Sequence, residues 1–191
     1  RSLDVDDMLR MRVGRMHWYT SFSKIPPCAY REALREYLDE IVENVSHGRN
    51  ILFYGDYGRG KTGAAVLIMK EVVARGGTAL MLAAERIMPS VMEKEVYDDY
   101  ESLWQRAQVV DLLVIDDLRR ERVKEVGKSF IESLIRRRYD EGLPTVITTN
   151  ASREELVENY EASMQALRHR TRLVECDGKN WRGDGGEAVG A

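Results

Sequence analysis

The run Gly55-Asp56-Tyr57-Gly58-Arg59-Gly60-Lys61-Thr62 fits the pattern G-x-x-x-x-G-K-[ST] without a gap. Glycines at 55, 58 and 60 let the backbone curl, so that successive N–H groups converge on phosphate oxygens. A helix starting behind them, through Gly63, adds the positive end of its dipole. In this arrangement Lys61 reaches the β and γ phosphates, and the Thr62 hydroxyl takes a magnesium ligand position. The spacing therefore predicts that Gly55 to Gly63 binds ATP with Mg2+.

Two carboxylates, Asp116 and Asp117, end the apolar run Leu112-Leu113-Val114-Ile115. Open α/β sheets place ligands at such strand ends. Asp116 is expected to hold magnesium through water, and Asp117 to orient or deprotonate the attacking water. Thr148-Thr149-Asn150 close the next apolar run, which places Asn150 to position that water. Together these motifs read as a site for ATP hydrolysis.

The elements that must carry these residues follow from hydrophobic pattern. Apolar runs at 51–54, 78–83, 112–116, 145–149 and, more weakly, 172–175 read as buried strands. Between them, residues 63–75 read as a helix ended by Gly76-Gly77. Phe130, Ile131, Leu134, Ile135 and Tyr139 give a second helix one apolar face, ended by Gly142-Leu143-Pro144. Ahead of the loop, Ala33, Leu34, Leu38, Ile41, Val42 and Val45 recur at helical spacing and predict one continuous amphipathic helix. Buried strands alternating with helices imply a parallel sheet covered on both faces.

With 191 residues the chain has room for one core. Residues 1–24, where Arg10, Arg12 and Arg15 interleave with Met8, Met11, Met16 and Trp18, read as a partner-docking or nucleic-acid arm or as a short helix packed on the domain. Residues 25–182 form the expected catalytic domain, and 183–191 a glycine-rich tail. The chain opens on Arg1, as expected of one that has lost a leading segment.

The 29 basic and 32 acidic residues give a net charge of −3, so any nucleic-acid contact must come from a local patch. Arg119-Arg120-Glu121-Arg122-Val123-Lys124 is the best candidate, where Arg119, Arg120, Arg122 and Lys124 could neutralise backbone phosphates; a solvated loop is the alternative. The stretch from Glu85 to Arg106 is acidic on balance. Cys28 and Cys176 have neither metal-ligand spacing nor the density of a secreted scaffold, which predicts a cytoplasmic protein. No apolar run is long enough to span a bilayer, so no membrane is expected as a partner.

In the order of its motifs the chain resembles the AAA+ ATPases of the DnaC/DnaI helicase-loader and IstB transposition-protein group. The matching pieces are Gly55–Thr62, Leu112–Leu118, Thr145–Asn150, and Arg170 followed by Gly178-Lys-Asn-Trp-Arg182, over roughly residues 25 to 182. The resemblance implies a P-loop NTPase of three α/β/α layers, with a five-stranded parallel sheet and a reduced or absent lid domain. It also implies self-association into a ring or spiral, in which an arginine from the neighbour completes each ATP site. Arg170 best matches that finger, with Arg168 nearby as the alternative. The implied partners are a replicative helicase and single-stranded DNA. An IstB-like regulator of transposition on duplex DNA, and a P-loop kinase acting on a small molecule, are the other readings.

Overall fold

The computed structural model describes residues 1–25, 28–84, 103–118, 125–152, 154–155 and 169–177. In chain order the elements are α1 (Val5–Arg10), α2 (Ala29–Asp39), α3 (Ile41–Ser46), β1 (Asn50–Tyr54), α4 (Lys61–Ala74), β2 (Ala79–Ala83), α5 (103–109), β3 (Leu112–Asp116), α6 (Glu125–Asp140), β4 (Thr145–Thr148) and β5 (Thr171–Glu175).

Five parallel strands pair in the order β2-β3-β4-β1-β5. Alternation along β1 shows how the sheet sorts its two faces. Ile51 and Phe53 point into one core with Met8, Tyr30, Leu34, Ile41, Ile68 and Met69, from α1 to α4. Leu52 points the other way, to Ala107, Ile131, Leu134 and Ile135 of α5 and α6. Both faces are dry, as all-parallel sheets require, and this is the expected three-layer architecture.

The single helix expected ahead of β1 is instead two, α2 and α3. The chain breaks at Glu40, whose φ and ψ of −98° and 20° leave the helical region. The apolar spacing runs on unbroken across the break and so conceals it. Buried Asn44 compensates, its side-chain N–H donating to the Tyr37 carbonyl over 2.9 Å.

Residues 1–25 lie against this sandwich. Asp4 and Asp7 form a reciprocal capping box that starts α1 and buries Met8. Met11 is also buried, and its carbonyl accepts the Met81 N–H of edge strand β2 over 2.9 Å. Further on, Lys70 of α4 donates to the carbonyls of Trp18 (2.5 Å) and Thr20 (2.9 Å), pinning that turn beside the start of α4. No helix among the described residues is long and apolar enough to cross a membrane.

Candidate nucleotide-binding site

β1 delivers the chain into the glycine loop at the carboxyl end of the sheet. Gly55, Gly58 and Gly60 have φ of +117°, +73° and +82°, values that side-chain-bearing residues rarely adopt. Gly55 is constrained twice, since a Cβ there would lie 3.0 Å from the Cys176 carbonyl oxygen beyond β5. Gly60 caps α4, whose first-turn N–H groups open toward the loop.

Lys61, the first residue of α4, is 7% exposed. Its Nζ donates to the carbonyls of Gly55 (2.6 Å) and Asp56 (2.5 Å), so the ammonium sits in the mouth of the loop. Burial pushes its pKa below the ordinary lysine value, while Cys176, Asp117, Asp56 and Asp116 pull it back up. At the loop's outer edge, exposed Asp56 pairs with Arg59 at 3.4 Å, and Tyr57 stands exposed beside them.

The two motifs downstream meet this loop. The Thr62 hydroxyl donates to Asp116 Oδ1 over 2.9 Å, joining the start of α4 to the end of β3. The Thr148 hydroxyl donates to the same oxygen over 2.6 Å and accepts the Asp117 N–H at 3.0 Å. Asp117 itself takes φ of +58°, rare for a residue that is not glycine. Its Oδ1 accepts a hydrogen bond from Asn150 Nδ2 at 2.8 Å.

Residues 57–63, Asp116, Asp117, Thr148 and Asn150 thus line one cleft of about 500 Å3. Its remaining wall is Met16, His17 and Thr20, with the Thr20 methyl 3.5 Å from a Cβ placed on Gly63. The donor set suits a magnesium-bound triphosphate: a cradle of backbone N–H groups, one ammonium, and a hydroxyl and carboxylate already in contact. Magnesium in such sites keeps several waters and takes few protein ligands. No cluster of three or more His, Cys, Asp or Glu side chains that could cage a metal exists among the described residues.

Arg170 is not brought to this cleft. It precedes β5, and its carbonyl accepts the N–H of Asn50, the first residue of β1. The loop leaves the opposite end of that strand, roughly 13 Å or more away at about 3.3 Å per residue. Arg119, Arg120, Arg122, Lys124, Arg168 and residues 178–191 lie outside the described residues. Two features escape the sequence motifs. Thr148 stands out only as one hydroxyl in a polar strand end, and nothing local marks Met16, His17 and Thr20 as a wall of the cleft.

Strand order and loop together define an ATP-binding fold of the AAA+ class. Residues 37–183 match the family described as IstB-like ATP binding protein, and the chain belongs to that family. No curated protein matches the sequence. Among solved structures, DnaI aligns over 88% of this chain and 94% of its own, with 20% identity and a TM-score of 0.72. The DnaC helicase loader aligns over 85% and 99%, with 21% identity and a TM-score of 0.67. AMPPCP-bound DnaA from Aquifex aeolicus aligns over 85% and 52%, with 19% identity and a TM-score of 0.66. At these identities the likeness is one of fold.

Proposed function

We propose that this chain is a magnesium-dependent ATPase that works as a helicase loader in DNA replication, binding single-stranded DNA and a replicative helicase. The observation that carries the hydrolytic part is the pairing of Asp116 with Thr62 and of Asp117 with Asn150, across one cleft, at the mouth of the loop that holds Lys61.

The loop's N–H groups and Lys61 bind and orient the triphosphate, while Thr62 and Asp116 would hold the magnesium. Held by those two side chains, magnesium would offset the charge of the phosphates. Asp117 accepts the proton of the attacking water, and Asn150 fixes the carboxylate that does so. Arg170 lies at the far end of the sheet and serves the ATP of the next copy, so hydrolysis depends on self-association. An arginine delivered in this way is worth about 10³ to 10⁵ in rate. Likeness to the DnaC helicase loader over most of both chains supports the loading role.

The family match favours a second reading, an IstB-like ATPase that regulates transposition on duplex DNA. Hydrolysis and assembly measured with single-stranded against duplex DNA, and co-purification with a replicative helicase, separate the two. A loader is stimulated by single strands and retains the helicase. Stimulation by duplex alone, with no helicase retained, overturns the loader reading. The Lys61→Ala variant should lose ATP binding, and wild-type affinity there would remove the loop from the site.

A further inference from the structure

Three arginines, Arg49, Arg170 and Arg172, share a groove of about 520 Å3 between α2, α3 and the start of β5, and they are held differently. Arg49 pairs with Glu43 at 2.9 Å and Glu40 at 3.6 Å, and Arg172 pairs with Glu36 at 2.5 Å. Arg170 makes no ion pair among the described residues. Its guanidinium lies over the ring of Tyr139, 5.0 Å from the centroid. A carboxylate would neutralise the cation and compete with phosphate for it. The face of an aromatic ring attracts the cation through its quadrupole and leaves the charge in place.

The helix end that carries the ring is anchored, and the ring itself packs partly buried against the core of that face. Next to it in α6, Arg138 is fully buried and donates to the carbonyls of Ala107 (2.9 Å), Val110 (2.9 Å) and Pro144 (2.7 Å) and to Thr145 Oγ1 (3.2 Å). This clamps the end of α6 to α5 and to the approach to β4. The turn after α6 is also seated closely, since a Cβ on Gly48 would lie 2.6 Å from the Gly142 carbonyl oxygen. Asn50, 4% exposed, then ties the backbone at the start of β4 to the backbone of Arg170. Its side-chain oxygen accepts the Thr145 N–H at 2.7 Å, and its own N–H donates to the Arg170 carbonyl at 2.6 Å.

We propose that Tyr139 is the positioning residue for Arg170: its ring face seats the guanidinium, still charged, for delivery to the ATP held by the next copy of this chain. This rests on the reading of Arg170 as acting between subunits. Side chains held in place by packing keep a long, flexible cation near its productive geometry. Replacing the ring by leucine lowers the seated fraction, and hydrolysis with it, by roughly 3- to 30-fold.

The test mixes whole chains and follows ATP hydrolysis. Asp117→Asn subunits hydrolyse only slowly but offer an intact Arg170, whereas Arg170→Ala subunits offer no cation but keep an intact cleft. Recovery in that mixture establishes the shared site; its absence removes the inter-subunit reading and this proposal with it. Given recovery, Tyr139→Leu should regain activity with Asp117→Asn, which supplies a seated arginine, and stay low with Arg170→Ala, which depends on its own. Tyr139→Phe, retaining the ring face, should match wild type in both mixtures. Three results overturn the proposal: Tyr139→Leu working as a normal or better donor, Tyr139→Leu failing in both mixtures as a general folding defect would make it, or Tyr139→Phe failing as Tyr139→Leu does.

Discussion

Asn150 reaches from the end of β4 to Asp117, its side-chain N–H donating to Oδ1 over 2.8 Å. That bond fixes a carboxylate whose backbone sits at φ of +58°, a conformation costing on the order of 1–2 kcal/mol for a residue with a Cβ. A strained residue clamped from two sides at a strand end is a common mark of a reacting group. In Asp117→Asn the shape and the tolerance of left-handed backbone survive, while the proposed proton acceptor is lost. Steady-state hydrolysis should fall roughly 10²- to 10⁴-fold with nucleotide affinity retained. Asn150→Ala should act in the same direction and more mildly. An Asp117→Asn enzyme of wild-type rate would take the base role away from Asp117.

Thr148 couples the two carboxylates through one hydroxyl, donating to Asp116 Oδ1 and accepting the N–H of Asp117. It is 2% exposed, so water cannot replace what is removed. Thr148→Val keeps the volume and strips both bonds, leaving Asp117 N–H without its acceptor. A loss of about 1–3 kcal/mol in urea unfolding is expected, with weaker magnesium dependence of nucleotide binding. Thr148→Ser, which retains the hydroxyl, should recover the magnesium dependence. If serine and valine behaved alike there, the hydroxyl would have no part in the site.

Arg138 is charged, wholly buried, and satisfied by three carbonyls and one hydroxyl, with burial holding its pKa down at about 10. Removing it leaves those acceptors dry. Arg138→Met should therefore cost roughly 2–4 kcal/mol in equilibrium unfolding. Arg138→Lys should recover only part, because one ammonium cannot reproduce a planar fork reaching α5, the 144 turn and β4 together. Full stability of the methionine variant would show that the clamp is not what holds the end of α6.

Strands were legible in the sequence because a parallel sheet dries both of its faces, so Leu112 to Ile115 reads as one apolar run and folds as one. The loop was legible because the backbone conformations at Gly55, Gly58 and Gly60 demand glycine. Meetings between distant segments were legible only as far as a motif encodes them: Thr62 with Asp116 follows from paired motifs, whereas Thr148 bridging Asp116 and Asp117 does not. Met16, His17 and Thr20 reach the cleft because Lys70 pins their turn to α4, a long-range hydrogen bond without any spacing signature. The break at Glu40 was hidden because Asn44 restores in three dimensions what the helix loses locally.

Cys176 follows β5 directly under the loop, its N–H donating to the Tyr54 carbonyl at 2.8 Å and its carbonyl against Gly55. The side chain is 1% exposed, and burial raises its thiol pKa to about 12 from an ordinary 9.0, with the Lys61 ammonium pulling the other way. The folded state therefore binds a proton between these two values that the unfolded state has released. By linkage, the stability from the neutral thiol is fully present below pH about 9 and falls as pH rises toward 12. An alkylating reagent at pH 8 should label Cys28, which is only half-buried, in the native chain and reach the sealed Cys176 only on unfolding. Cys176→Ser should flatten the alkaline fall in stability. Rapid native labelling of Cys176, or an unchanged alkaline slope in the serine variant, would show that this thiol is neither sealed beneath the loop nor a source of the pH dependence.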